Sequence, residues 1–146
     1  MTMKYSTFMM PLHPPGRNVT ETLQEDREAI ILADRLGFSE AYVGEHVTDA
    51  AEIVTSSMIF LATLAAETKQ IKLGTGTLNL PNSHPAAIAA QAAMLDHLLK
   101  GRFIMGISPG TAKEYIRRVR VKYAEHGEPL PSKVELYKKA QEEGLL

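Results

Sequence analysis

The sequence contains no cysteine, which removes three kinds of chemistry at once. Disulfide bonds, thiolate catalysis and cysteine-based metal sites are excluded. The 146 residues also lack an apolar run near the roughly 18 residues that a membrane span requires. The amino end lacks the apolar core of a signal peptide, because proline interrupts its short apolar patch. We therefore expect a cytoplasmic protein that does not enter a membrane.

The chain also lacks a marked excess of charge of either sign. It has 16 lysines and arginines against 17 acids, and a formal net charge of -1 at pH 7. Nothing in this balance favours nucleic acid or an anionic lipid surface as a partner. Apolar residues make up 45% and charged residues 23%, as in ordinary globular domains. We expect a chain that buries a core and binds neither nucleic acid nor membrane.

Strand-like apolar segments alternate with helical patterns along the chain. Asn18 and Glu21 form a capping pair at the start of the first helix, and Gly37 ends it. Pro85 suits the first position of the third helix. The predicted strands are residues 3–10, 39–46, 71–80 and 102–108, and the helices are 18–36, 56–69, 85–99, 112–125 and 132–143. Such alternation predicts an α/β fold with parallel strands and right-handed crossovers.

Two architectures fit this order of elements: an open doubly wound sheet or part of a (β/α)8 barrel. A complete barrel needs roughly 250 residues, so four βα units correspond to half of one. We predict (βα)4, half of a TIM-like barrel, in residues 1–110, plus an extra C-terminal helix. Residues 111–146 carry eight of the 16 lysines and arginines and are predicted to be a charged helical tail.

Three of the five histidines directly follow predicted strands. In parallel α/β folds ligands bind at the carboxyl ends of the strands, where His13, His46 and His84 would lie. Together with Glu45 or Asp49 they could surround zinc, but the paired H-x-H spacing common in barrel metal sites is missing. We therefore expect no metal site.

Glycines alternate with threonines in the third predicted strand. Gly74 and Gly76 weaken a strand, and such glycines often mark a bulge or the close approach of a flat ligand. Twist or helix packing explains them equally well. The sequence lacks both G-x-G-x-x-G and a Walker lysine, so it carries no phosphate-binding fingerprint.

Two longer stretches carry a family resemblance. "LGFSEAYVGEH" and "IKLGTGTLNLPNSHPAAIAAQAAMLDHLLKGRFIMGISPG" closely resemble the N-terminal half of the bacterial luciferase-like, flavin-dependent monooxygenases, most of all the alkanal and limonene monooxygenase branches. The resemblance covers about residues 3–110. It implies a TIM-like barrel, in agreement with the alternating strands and helices.

The resemblance also implies an activity and its acid–base residues. Members use reduced flavin mononucleotide (FMN), or the deazaflavin F420, and oxygen to oxidise an aldehyde, ketone, terpene or similar apolar molecule. A separate reductase usually supplies the reduced flavin. His46 corresponds to the active-site histidine that acts as acid and base, Glu45 would orient the loop or a partner side chain, and His84 matches a second histidine.

The implied cofactor site lies around the third strand. Gly76 and Thr77 fall where family members carry a bulge, often with a non-prolyl cis peptide, against the flavin ring. Ser108 occupies the position of a cysteine near the flavin in the luciferase α subunit. We expect the flavin to be bound by Gly74, Thr75, Gly76, Thr77 and Ser108.

The missing half of the barrel leads to an alternative prediction. In the family that half supplies most contacts to the flavin phosphate, so the alternative is a non-catalytic half-barrel that folds or assembles without flavin or turnover. The outer edges of the first and fourth strands invite pairing. A homo-oligomer that completes an eight-stranded barrel is therefore expected, whereas the rival is an open sheet whose edges are covered by the tail helices.

Overall fold

The computed structural model describes residues 3–108, which contain six strands and three α-helices. The predicted tail over residues 111–146 lies outside these residues. No helix in the described part is long and apolar enough to cross a membrane. The strands are β1 Ser6–Met9, β2 Glu40–Val43, β3 Lys72–Thr75, β4 Leu78–Asn79, β5 Phe103–Ile104 and β6 Ile107–Ser108, and the helices are α1 Val19–Arg35, α2 Ser57–Ala62 and α3 Pro85–Leu98, with a 3₁₀ turn at Leu80–Asn82.

Four of the strands form one parallel sheet in the order β1-β2-β3-β5. Each connection within it runs through a helix, α1 after β1, α2 after β2 and α3 between β3 and β5. β4 and β6 pair in parallel as a second, short ladder. The predicted α/β fold with parallel strands is confirmed.

The two faces of the sheet differ sharply in burial. Ala41, Val43 and Leu73 are completely buried on the helix side, where they pack with a core from the three helices and the following turns. Burying a side chain the size of Val43 or Leu73 contributes about 1.5–3 kcal/mol. The pairing register places Phe8 beside Tyr42 on the opposite face, and Phe8 is 59% exposed. The core therefore lies on one side only of the sheet in the described residues.

Helix α1 begins and ends where its capping residues predict. Oδ1 of Asn18 accepts hydrogen bonds from the N–H groups of Thr20 at 2.9 Å and Glu21 at 3.4 Å, which would otherwise lack partners. Gly37 follows the last turn with φ of +82°, a conformation that glycine adopts without steric cost. The helix therefore ends at a defined residue, shortly before β2 begins at Glu40.

The second helix is shorter than predicted. The α-helix covers only Ser57–Ala62, and the chain then continues as turns, so the prediction of a helix over residues 56–69 was wrong in its length. Thr63 explains the change, because its hydroxyl donates to the carbonyl of Phe60 at 2.7 Å and its N–H bonds the same carbonyl. One side of the short helix faces solvent, since Ile59 is 71% exposed.

The third and fourth predicted strands are each divided in two by one shared kink. The peptide bond Gly76–Thr77 is cis and separates β3 from β4, opposite the break between β5 and β6. The hydroxyl of Thr75 donates to the carbonyl of Gly106 at 2.7 Å and accepts from its N–H at 2.9 Å. A Cβ at Gly106 would lie 2.3 Å from the carbonyl oxygen of Thr75, so this contact requires glycine.

A buried carboxylate joins the end of α1 to the start of β3. Asp34, only 6% exposed, accepts hydrogen bonds from the N–H groups of Lys69 at 3.0 Å, Gln70 at 3.0 Å and Ile71 at 2.7 Å. Burial alone would raise the pKa of Asp34, but these N–H groups, helped by the charge of Arg102, hold the pKa below its ordinary value. Asp34 therefore stabilises the fold as an anion.

Replacing Asp34 with alanine should lower the free energy of unfolding by about 3 kcal/mol at neutral pH, because buried N–H groups lose their acceptor. Urea denaturation measures this change. The exposed Glu28→Gln on the same helix serves as control, with an expected change within about 0.5 kcal/mol.

The stabilisation by Asp34 should also depend on pH. Because its pKa is lower in the folded than in the unfolded chain, the contribution is complete above the unfolded pKa and is lost as pH falls through the folded pKa. The difference in stability between the wild type and Asp34→Asn should therefore shrink in acid. A difference that stays constant from neutral to strongly acidic pH would contradict this assignment.

Candidate active site

The residues predicted to carry chemistry lie at the carboxyl ends of the parallel strands. Glu45 and His46 follow β2, the Gly76–Thr77 peptide follows β3, and Ser108 ends β6. The carboxyl ends of parallel strands share one edge of a sheet, where α/β proteins bind ligands. This edge is the candidate site.

Glu45 is a buried junction between three elements. It is 6% exposed, and its Oε2 accepts from the N–H of Ser57 at 3.1 Å and from the Ser57 hydroxyl at 2.8 Å. Its Oε1 accepts from the N–H of Asn79 at 3.2 Å, and its carbonyl accepts from the Asn79 side chain at 3.0 Å. Glu45 thus ties the end of β2 to the start of α2 and to β4.

One nitrogen of the His46 ring contacts a carboxylate, and much of the side chain is exposed to solvent. Its main-chain N–H donates to the carbonyl of Val54 at 3.0 Å. Its Nε2 lies 2.5 Å from Oε2 of Glu52, while the His46 side chain remains 43% exposed. An imidazole that is accessible at the sheet edge suits acid–base chemistry near neutral pH.

The turn that carries Glu52 is itself braced. Oδ1 of Asp49 accepts from the N–H groups of Ala51 at 2.8 Å and Glu52 at 3.2 Å. These two hydrogen bonds hold the pKa of Asp49 below its ordinary value. The bond from Ala51 has the larger effect, and His46 makes a smaller contribution. Glu52 also forms an antiparallel bridge with Leu12, in the loop after β1. The β2 loop is thereby fixed against the β1 loop.

The three histidines after the strands are not brought together. Nε2 of His13 lies 3.0 Å from Oδ2 of Asp26 on α1, and both side chains are largely buried. His84 is exposed and caps α3, since its Nδ1 accepts from the N–H of Ala86 at 3.2 Å. Within residues 3–108, no group of three or more His, Asp or Glu side chains is arranged to hold a metal ion.

The glycines in β3 and directly after it make room for aromatic rings on the open face. A Cβ at Gly74 would lie 2.5 Å from the ring of Tyr42, and one at Gly76 would lie 2.7 Å from the ring of Phe8. The peptide that follows Gly76 is cis, as the resemblance implies, and Thr77 is exposed. The open face beside this peptide is therefore lined by flat apolar rings.

Of the predicted cofactor residues, Thr75 bonds to the kink between β5 and β6, and Ser108 lies in β6 itself. The hydroxyl of Thr75 is buried and bonds only to Gly106 within the described residues. Ser108 is half-buried and stands opposite Asn79 in the β4–β6 register. Ser108 is thus paired with the residue that bonds Glu45.

A flavin would meet an apolar surface here but few cations. Several apolar side chains near the strand ends are exposed by 40% or more, which suits a flat aromatic ring: Phe8, Met10, Met105 and Ile107. Arg17 is engaged by Glu25 through two contacts of 3.0 and 2.7 Å, and Arg102 binds Thr68 at the opposite edge of the sheet. The geometry fits the ring of a flavin, whereas neither arginine is available to its phosphate.

Comparison with known proteins identifies the family of this chain. The model of the luciferase-like monooxygenase family matches residues 3–143. The chain belongs to this family. Membership confirms the resemblance carried by the Glu45–His46 and Gly74–Thr77 motifs.

The chain matches individual relatives over only part of the relatives' length. Limonene 1,2-monooxygenase of Rhodococcus erythropolis is 40% identical over 106 residues, which cover 73% of this chain and 27% of the relative. The oxygenating constituent of 3,6-diketocamphane monooxygenase from Pseudomonas putida, solved in complex with FMN, superimposes with a TM-score of 0.70 at 28% identity. The alignment covers 73% of this chain and 29% of that one.

A structure with a different cofactor dependence also matches. The coenzyme F420-dependent tetrahydromethanopterin reductase of Methanopyrus kandleri superimposes with a TM-score of 0.60 at 26% identity, over 89% of this chain and 31% of the reductase. This luciferase-like chain thus spans about three tenths of the length of its curated relatives and structural neighbours. That share is consistent with half of a barrel.

Sequence reasoning missed three residues that shape the site. Ser57 and Asn79 bond Glu45, and Glu52 contacts His46. Ser57 follows the polar residues Thr55 and Ser56, so nothing in the sequence distinguishes it, whereas Asn79 is a single polar residue between Leu78 and Leu80. Glu52 does carry a signal, because it is a single acid between Ala51 and Ile53 in an otherwise apolar run.

Replacing Glu45 with glutamine should lower the free energy of unfolding by about 2 kcal/mol, because an amide NH₂ would face donors that need acceptors. Glu25→Gln, which disrupts an exposed pair with Arg17, serves as control and should change stability by less than about 1 kcal/mol. Both variants are measured by urea denaturation. Equal effects of the two substitutions would show that Glu45 does not act as a junction.

Proposed function

We propose that this chain is the part of a flavin-dependent monooxygenase that carries the acid–base histidine and the surface for the flavin ring. One observation carries the proposal. The half-exposed His46 and the cis Gly76–Thr77 peptide follow β2 and β3, which are adjacent strands, at the same edge of the sheet. A flavin ring bound over that peptide would lie near the imidazole of His46.

The cofactor that fits best is reduced FMN, with F420 as the alternative. The FMN complex of the related camphane enzyme supports the first, and the F420-dependent reductase supports the second. The main chain of Gly74–Thr77 and Ser108 would border the ring, and Phe8 would supply an apolar wall. When bound, the reduced flavin supplies the electrons with which oxygen is activated.

The residues of the chain then divide into distinct roles. His46 holds or releases a proton at the accessible part of its ring, whereas both carboxylate oxygens of Glu45 are engaged and position the loops. The Nδ1 of His84 is used by the α3 cap, which leaves Nε2 as the nitrogen it can offer to a ligand. The exposed apolar side chains indicate an apolar substrate such as an aldehyde or terpene, with reduced flavin delivered by a separate reductase.

Titration with FMN and with F420 tests the proposed site directly. Binding should quench flavin fluorescence and shift the absorption spectrum, because a ring enclosed by apolar groups leaves water. In the presence of a reductase and oxygen, His46→Ala should reduce turnover roughly 100-fold or more while the chain remains folded. The exposed helical His97→Ala is the matched control and should retain turnover. Unchanged turnover in His46→Ala would refute its role.

The alternative function is assembly without turnover, and the open face of the sheet favours it. Within the described residues β1 and β5 each have a single neighbour in the main sheet, so both edges are available for pairing. Phe8, Met105 and Ile107 are 59%, 42% and 54% exposed on or beside that face. We propose a second copy of the chain as the occupant, because four further parallel strands would complete an eight-stranded barrel.

Light scattering of the chain tests this assembly. The wild type should be a dimer at micromolar concentration, and Phe8→Glu should be a monomer because a buried, unpaired charge opposes association. Leu36→Glu is the matched control: Leu36 is 67% exposed, but it ends α1 on the helix side. A wild-type monomer, or equal behaviour of the two variants, would contradict the proposal.

A further inference from the structure

Glu52 has a buried carboxylate oxygen without a hydrogen-bond partner among the described residues. Its Oε2 is buried and forms no hydrogen bond in the part of the chain that the structure describes. The same atom lies 2.5 Å from Nε2 of His46, a close contact that is not aligned as a hydrogen bond. Two lone pairs would repel at this distance, so the contact requires a proton between the nitrogen and the oxygen.

The main chain on both sides of this contact is fixed. The N–H of Glu52 donates to Asp49, and Glu52 pairs with Leu12 across the two loops. The N–H of His46 donates to Val54, two residues beyond Glu52. Backbone contacts therefore set the approach of the two side chains.

The nearby Asp49 is not a competing partner for the imidazole. Its Oδ1 accepts from the N–H groups of Ala51 and Glu52, so this carboxylate closes the turn. It interacts with His46 only through the weaker charge effect that lowers its own pKa. In addition, the carboxylate of Glu45 points to Ser57 and Asn79. Glu52 is thus the acid in direct contact with the His46 ring.

We propose that Glu52 is the positioning residue of His46: its Oε2 keeps a proton on Nε2 and orients the ring so that Nδ1 faces the open edge of the site. Nδ1 has no partner within residues 3–108. A histidine that is fixed in this way would exchange protons with a ligand through Nδ1, since an outer carboxylate sets the position of the ring proton. The catalytic consequence rests on the proposed function, whereas the pairing is a property of the chain alone.

The chain contains a second histidine–carboxylate pair that serves as an internal comparison. His13 and Asp26 lie 3.0 Å apart, with side chains 15% and 11% exposed. His46 and Glu52 are 43% and 15% exposed, so the two pairs share their chemistry but differ in access to the histidine. The first pair holds a loop against α1, while the second leaves one histidine within reach of a ligand.

The test is nuclear magnetic resonance of the full chain with isotope-labelled histidine, without flavin. A ring proton on Nε2 of His46 should give a resolved signal, because a proton held against a buried carboxylate exchanges slowly with water. Glu52→Gln should abolish this signal. Asp26→Asn is the matched control and should abolish the signal of His13 while it preserves that of His46.

Two results would overturn the proposal. One is an unprotonated Nε2 of His46 in the wild type, which decides the matter even if Glu52→Gln fails to fold. The other is a folded Glu52→Gln whose His46 ring signals match those of the wild type. In the flavin-loaded protein, Glu52→Gln should lower kcat about tenfold at unchanged flavin affinity. Failure of the wild type to bind flavin would tell against the proposed function and leave the ring spectrum to decide the pairing.

Discussion

The candidate site depends on one buried carboxylate, that of Glu45. Its two oxygens receive donors from α2 and from β4, so the loop after β2 cannot move without breaking bonds to both. A buried carboxylate that lost these donors would destabilise the folded chain. The fold therefore favours the one arrangement of α2 and β4 that supplies them. Because His46 is the next residue along the chain, the junction at Glu45 determines where the imidazole stands. The stability of the fold and the geometry of the site are therefore set by adjacent residues.

The kink after β3 provides the second part of the site. Thr75 and Gly106 clamp the two strand pairs where the main chain changes direction, and glycine is required for their close contact. Gly74 and Gly76 leave space for the rings of Tyr42 and Phe8 on the open face. The glycines that suggested a ligand thus have a packing role as well. The two explanations are compatible, because the same rings that fill this space form the surface a flat ligand would meet.

The sequence predicted the layout of the fold better than its details. Capping by Asn18 and Gly37 and the parallel order of the strands follow from local rules, and the structure confirms them. The early end of α2 did not follow, because it depends on the side-chain bond of Thr63 to its own helix. The motifs placed His46 at the strand ends. They did not include Glu52, whose contact with His46 depends on a turn that pairs with Leu12, 40 residues earlier in the chain.

The two histidine–carboxylate pairs show how the fold gives two histidines different access to solvent. Both pairs bring an imidazole nitrogen to a carboxylate oxygen within 3.0 Å. His13 is enclosed because its partner Asp26 lies on α1, so the pair is covered by the helix layer. His46 has a partner in its own loop, and its side chain remains 43% exposed. An accessible imidazole is free to meet a ligand, and that of His46 follows β2 beside the open, apolar face of the sheet.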